Sequence, residues 1–147
     1  MFPITHFNQE KTPFYYYDKT LLNNTLSTLT RLAEERNFQV HYAIKANANP
    51  EVLRLIAASG VGADCVSGGE IKAALEAGFP ARKIVFAGVG KADWEIEYAL
   101  DNKIFCFNVE SAEELAVIEE LARKKETVAS IALRLNPNID AHTHEYI

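Results

Sequence analysis

From residue 18 onward the chain repeats one pattern, an amphipathic helix followed by a short apolar strand, and this alternation restricts the fold more than any other feature. Asp18 can cap a first helix whose Leu22, Leu26, Leu29 and Ala33 share one face and which runs out near Asn37. A strand is predicted over 39–45. Asn49-Pro50 then offers an N-cap followed by proline at the first helical position, and the helix carrying Val52, Leu53 and Ile56 stops at Ser59-Gly60. Further strands are predicted over 61–66, 84–88, 104–108 and 130–135. Between them come helices from about Gly69 to Gly78, around Trp94 to Leu100, and from the capping box of Ser111 and Glu114 to about Lys125. Such spacing implies right-handed βαβ units on a parallel sheet. The first seventeen residues differ in kind, being aromatic-rich (Phe14, Tyr15, Tyr16, Tyr17) and without helical period.

Side-chain alternation separates two ways of arranging five parallel strands. Val40, Tyr42 and Ile44 share a face, leaving His41, Ala43 and Lys45 opposite; Ile131, Leu133 and Leu135 oppose Ala132 and Arg134; Phe105 and Phe107 oppose Cys106 and Asn108. One face is large and apolar, suited to lie under helices. The other is small or polar and becomes charged near the strand ends. A doubly wound sheet would want both faces apolar. A barrel interior accepts small and polar groups and carries its active site at the strand ends. The expected fold class is therefore α/β, a partial (β/α)8 barrel of about five strands alternating with helices. A complete barrel takes about 250 residues and eight strands, so five strands cannot close.

The 48% hydrophobic and 24% charged content of these 147 residues is that of a globular domain. The net charge of −5, with no basic stripe, argues against nucleic acid or an anionic membrane as partner. The amino terminus lacks a cationic region followed by an apolar run, and no apolar stretch approaches the ~20 residues that span a bilayer, which points to the cytoplasm. Cys65 and Cys106 lie in apolar strand-like runs and read as two buried thiols rather than a disulfide or a metal site.

Lys45 is the sharpest candidate for chemistry. It stands at the carboxyl end of the first strand on the inward face, where it either snorkels to solvent or is buried. If buried, its pKa falls and its neutral amine can condense with an aldehyde. Asp64 ends the neighbouring strand and Arg134 lies near the end of the fifth. A lysine, a carboxylate and a guanidinium at one barrel mouth would suit an anionic, aldehyde-bearing cofactor; the plainer reading joins Asp64 and Arg134 in a structural ion pair. His142 and His144, two apart and without a third ligand nearby, do not make a metal site. His41 reads as a packed barrel residue. Gly68-Gly69 reads as flexible backbone at a strand-to-helix turn.

Four stretches, in order, make the chain recognisable. Tyr42-Ala-Ile-Lys-Ala-Asn47 resembles the strand-one motif of the alanine-racemase-like, fold-type III pyridoxal-phosphate enzymes. Gly62-Ala-Asp-Cys-Val-Ser-Gly-Gly-Glu70 resembles their second-strand motif. Leu133-Arg-Leu-Asn-Pro137, followed by Asp140-Ala-His-Thr-His-Glu-Tyr-Ile147, is similar to the diaminopimelate decarboxylases, and Thr12-Pro-Phe-Tyr-Tyr-Tyr-Asp18 fits the family's opening. The resemblance spans essentially the whole chain.

It implies that Lys45 holds pyridoxal 5'-phosphate and later moves a proton, and that Asp64 and Arg134 join the polar network around the ring. Ser67 and Glu70 also match the motif as cofactor-binding candidates. It implies a decarboxylase acting on meso-2,6-diaminopimelate, a small amino-acid substrate, to give L-lysine. The working form would be a homodimer in the cytoplasm, with 1–17 lying against a carboxyl-terminal β domain and 18–147 forming an incomplete barrel. In such enzymes the glycine-rich phosphate site, the carboxylate facing the ring nitrogen and the stacking histidine come from later strands, so residues 1–147 alone are expected to be inactive. The rival readings are a decarboxylase of another basic amino acid, a pyridoxal-phosphate-binding barrel without turnover, and a half-barrel that self-associates.

Overall fold

A computed structural model describes residues 2–137. After a single helical turn, α1 (Ile4–Phe7), helix α2 (Lys19–Glu35) leads into four β/α steps and a fifth strand. These are β1 (His41–Ala43), α3 (Pro50–Ala58), β2 (Gly62–Cys65), α4 (Gly68–Ala77), β3 (Ile84–Phe86), α5 (Asp93–Asp101), β4 (Cys106–Val109), α6 (Ala112–Lys124) and β5 (Ile131–Leu133). The helices begin where the sequence offers an oxygen to their orphan amides. The side chains of Asp18, Asn49, Ser67 and Ser111 accept from Leu21, Glu51 and Val52, Glu70 and Glu114 respectively. Gly78, with φ of 97°, closes α4 in the left-handed region that a side chain would resist.

All strand pairs are parallel and the sheet order is β1-β2-β3-β4-β5, so the chain never reverses direction across the sheet, as a barrel requires and a doubly wound sheet does not. The register aligns Ala43, Asp64, Val85 and Cys106 in one row of one face. Cys65, Phe86, Phe107 and Ile131 make a row of the other. Cys65, Phe86 and Phe107 of that second row, with Ala63, Ile84 and Val109, meet Leu53, Ile56, Ile71, Ile96 and Ile118 of the helices in a continuous core, while Ile131 stays exposed. Phe86 and Phe107 are essentially fully buried there and each contributes about 1.5–3 kcal/mol by leaving water. Val40, Tyr42 and Ile44 join this face as the alternation predicted. Among the described residues no helix is long and apolar enough to cross a membrane.

Five details differ from the sequence reading. Ile4–Phe7 form a helical turn where no helical period is visible, and the rings of Phe7, Phe14 and Tyr16 gather against it. The first strand ends at Ala43, and residues Ile44–Ala46 form a 3-10 turn. Phe105 precedes β4 and stacks on His41 at 6.3 Å instead of lying under the helices with Phe107. Gly68 is the first residue of α4 and its need is steric: a Cβ there would come within 2.8 Å of the Trp94 ring. Finally, Leu133 and Leu135 are exposed, because no described element covers the outer face of β5.

Candidate active site at the strand exits

The exit of β1 is built around Asn47. Its backbone amide donates to Ile44 O, its Oδ1 accepts from Asn49 N at 2.9 Å, and its Nδ2 donates to the hydroxyl of Tyr17 at 3.1 Å. The Tyr42 hydroxyl donates to Asn47 O, which ties the strand to the turn that follows. Ile44 is fully buried and anchors this turn, so the next residue, Lys45, points out of the core. Lys45 is exposed rather than buried. Its amine has no hydrogen-bond or ion-pair partner among the described residues.

Asp64 stands on the neighbouring strand, directly opposite Ala43. Its Oδ1 is buried and lacks a hydrogen-bond partner among the described residues, which is rare for a carboxylate oxygen because the lost hydration is not repaid. Next to it, burial pushes the Cys65 thiol up to about 12, with the carboxylates of Glu70 and Asp64 adding to the shift. Cys65 and Cys106 are both free and buried, and Cys65 remains a thiol at neutral pH. His41 is half-buried against Phe105, and burial lowers its pKa from the ordinary 6.5.

Ser67 and Glu70 are occupied in shaping the loop after β2. The Ser67 hydroxyl accepts from Glu70 N at 3.2 Å, and Glu70 Oε2 accepts from Val66 N at 2.7 Å. Ser67 thus caps α4, while Glu70 reaches back one residue past the cap to Val66.

Arg134 follows β5. Its amide donates to Val109 O, and its guanidinium Nη1 lies 3.1 and 3.2 Å from the two carboxylate oxygens of Glu110. The structure thus puts Lys45 in the turn just beyond β1, Asp64 on the adjacent β2, and Arg134 beyond β5 at the opposite edge of the sheet. The plainer reading, an ion pair between Asp64 and Arg134, is not what the structure shows. Arg134 does tie strands together, but with Glu110, and Asp64 is left unpaired. His142, His144 and Asp140 lie outside the described residues.

Glu110, Glu114 and Lys91 form a cluster at the exits of β3 and β4 that the motif reading passes over. Lys91 Nζ donates to Gly88 O at 2.7 Å, Asn108 O at 2.9 Å and Glu114 Oε1 at 2.5 Å. The available signal was positional: a charged residue follows β1, β3, β4 and β5 alike.

Residues 21–147 match the model of the pyridoxal-dependent decarboxylase, pyridoxal binding domain. The chain belongs to the pyridoxal-dependent decarboxylases. Diaminopimelate decarboxylase of Bacteroides thetaiotaomicron is 60% identical over 148 residues, covering 100% of this chain and 38% of that protein. The diaminopimelate decarboxylase of Helicobacter pylori is 48% identical over 141 residues, covering 96% of this chain and 35% of that protein. The crystal structure of the Helicobacter pylori enzyme complexed with L-lysine superposes with a TM-score of 0.85 at 45% identity, over 98% of this chain and 36% of that one. An arginine decarboxylase of Paramecium bursaria Chlorella virus, 24% identical with a TM-score of 0.66, shares the fold alone. The chain spans little more than a third of the length of the curated relatives it matches.

The residues present fit a pyridoxal-binding role. A free exposed amine, a buried carboxylate oxygen without a partner and an exposed guanidinium all belong to the strand exits.

Proposed function

We propose that this chain carries the front part of the cofactor barrel of an enzyme that decarboxylates meso-2,6-diaminopimelate to L-lysine. Lys45 is the residue that holds pyridoxal 5'-phosphate. The observation that supports this most directly is the partnerless Lys45 amine beyond β1, next to the strand whose Asp64 Oδ1 is buried and unsatisfied. The identity of 60% to a diaminopimelate decarboxylase over the whole chain favours that substrate over arginine or ornithine.

When bound, the cofactor supplies an electron sink beside the bond that loses carbon dioxide. The chain's own residues bind and orient. Lys45 offers the amine and serves as a proton carrier at Nζ. Asp64 offers an acceptor whose hydration has already been removed, so a donor that reaches Oδ1 regains what burial cost. Arg134, held by Glu110, supplies fixed positive charge for an anionic group. Ser67 and Glu70 hold the loop after β2, and their part in cofactor binding is indirect. The full protein works as a cytoplasmic homodimer, with 1–17 against a β domain. Five strands do not close a barrel, and residues 1–147 alone do not turn substrate over.

Borohydride trapping with pyridoxal phosphate, read by peptide mass spectrometry beside a Lys45→Ala control, tests the reading. Selective labelling of Lys45 supports it. Labelling scattered over surface lysines, unchanged in the control, overturns it.

A further inference from the structure

Lys91 is an enclosed cation, its side chain only 1% exposed. An ammonium has three protons to give, and all three are taken up by Gly88 O, Asn108 O and Glu114 Oε1. The Phe86 ring lies 5.3 Å from the nitrogen and seals it from the core side. With no donor to spare, Lys91 cannot itself serve a ligand. Its partners, however, lead outward. Glu114 Oε2 accepts from Glu110 N at 2.8 Å, and Glu110 Oε1 accepts from Gly88 N at 3.3 Å. Lys91, Glu114, Glu110 and Gly88 therefore close a circuit, and Arg134 hangs from its Glu110 corner. The guanidinium is otherwise 69% exposed, whereas the Glu110 carboxylate is 11% exposed.

We propose that Lys91 is a positioning residue that fixes the guanidinium of Arg134 through Glu114 and Glu110. The cationic corner of the strand exits is thus set from within the β3–β4 boundary and not by Arg134's own surroundings. The inference rests on the function proposed above only for what Arg134 is positioned to do.

The test compares wild-type full chain with Lys91→Met by two measurements. The first needs no cofactor: amide exchange at Gly88 and Glu110, and the Arg134 Nε–H NMR signal. Exchange at both amides should rise about tenfold or more, the factor that one lost charge-assisted bond carries. The Arg134 signal should collapse toward the position of a free arginine while α3 amides stay unchanged. The second is pyridoxal phosphate affinity, which should weaken in Lys91→Met but not further when Arg134→Ala is already present. Should Lys91→Met fail to fold, Lys91→Arg carries the same expectation, since a planar fork cannot aim three donors from one atom. An unmoved Arg134 signal overturns the proposal, as do additive losses of affinity. A wild-type chain that binds no pyridoxal phosphate refutes the function instead, and the NMR comparison still decides the positioning.

Discussion

Gly62 opens β2 directly opposite His41 of β1, so a methyl group there tests how closely these two strands pack. An ideal Cβ on Gly62 would lie 2.3 Å from His41 Cδ2, 2.7 Å from His41 Nε2 and 2.5 Å from the backbone oxygen of Lys83. Carbon atoms rest at about 3.5–4.0 Å, so the imidazole would have to retreat by about 1 Å or more. It cannot do so freely, because its other face is stacked on Phe105. The Lys83 oxygen is still less able to move, being main chain at the start of β3 in a turn fixed by Lys83 N to Pro80 O at 2.8 Å. Overpacking costs about 1–3 kcal/mol, and a clash with immobile backbone on one side sets Gly62→Ala at about 3 kcal/mol. In a domain of this size each kcal/mol moves Tm by about 2–4 °C, giving a fall of about 6–12 °C. Thermal unfolding followed by circular dichroism reads this, with Gly69→Ala as control. That glycine is inside α4 with only Ser67 Oγ at 3.8 Å, so alanine there should stabilise by about 0.5–1 kcal/mol. Adding His41→Ala to Gly62→Ala should recover only part of the loss, since the carbonyl remains. A Gly62→Ala protein melting within about 2 °C of wild type would refute the reasoning.

Asp64→Asn should leave stability unchanged or raise it by about 1 kcal/mol, because a charge is removed from a buried atom that has no partner. The same variant should lose pyridoxal phosphate affinity in an equilibrium titration, and a marked drop in Tm would show that the carboxylate has a structural duty after all. His41 gives the chain a pH dependence of known sign. Burial lowers its folded pKa below 6.5, against an opposing effect of Asp64 and with Lys83 acting alongside. The unfolded chain therefore takes up this proton first, and stability present at higher pH is lost as pH falls through about 6.5 toward the lower folded value. Urea unfolding at about pH 7.5 and about pH 5.5 should show a smaller loss for His41→Gln than for wild type; an equal loss would mean His41 titrates normally.

Most of the architecture was legible because it is written in period and punctuation. Asp18, Asn49 and Ser111 are caps in the sequence and caps in the structure, and the two-residue alternation around Val40–Ile44 predicted the face that packs under the helices. Lys45, Asp64 and Arg134 stood out because each lies at a strand exit. What escaped was anything set by a partner distant in sequence. Phe105 has the right parity for the core, yet its ring finds His41, sixty-four positions away, instead. Glu114 was legible as the far member of a capping box, but its second oxygen serves Glu110 and its first serves Lys91. No local pattern distinguishes a lysine that will be sealed by three acceptors from one that waves in solvent.

The strictly sequential strand order has one more consequence. β2 pairs with β1, β3 with β2 and so on, while α3 packs on α4, α4 on α5 and α5 on α6, so each unit finds its partners in the unit just before it. Such an array behaves like a zipper, whose stability is a sum of unit and nearest-neighbour terms. Contacts of short sequence separation are also the quick ones to form. A chain leaving the ribosome amino end first can therefore add one β/α step at a time, each new strand meeting an edge already waiting for it. Damage at one tooth stays largely local, except at the Lys91 circuit, where three successive units are laced together and should open as one.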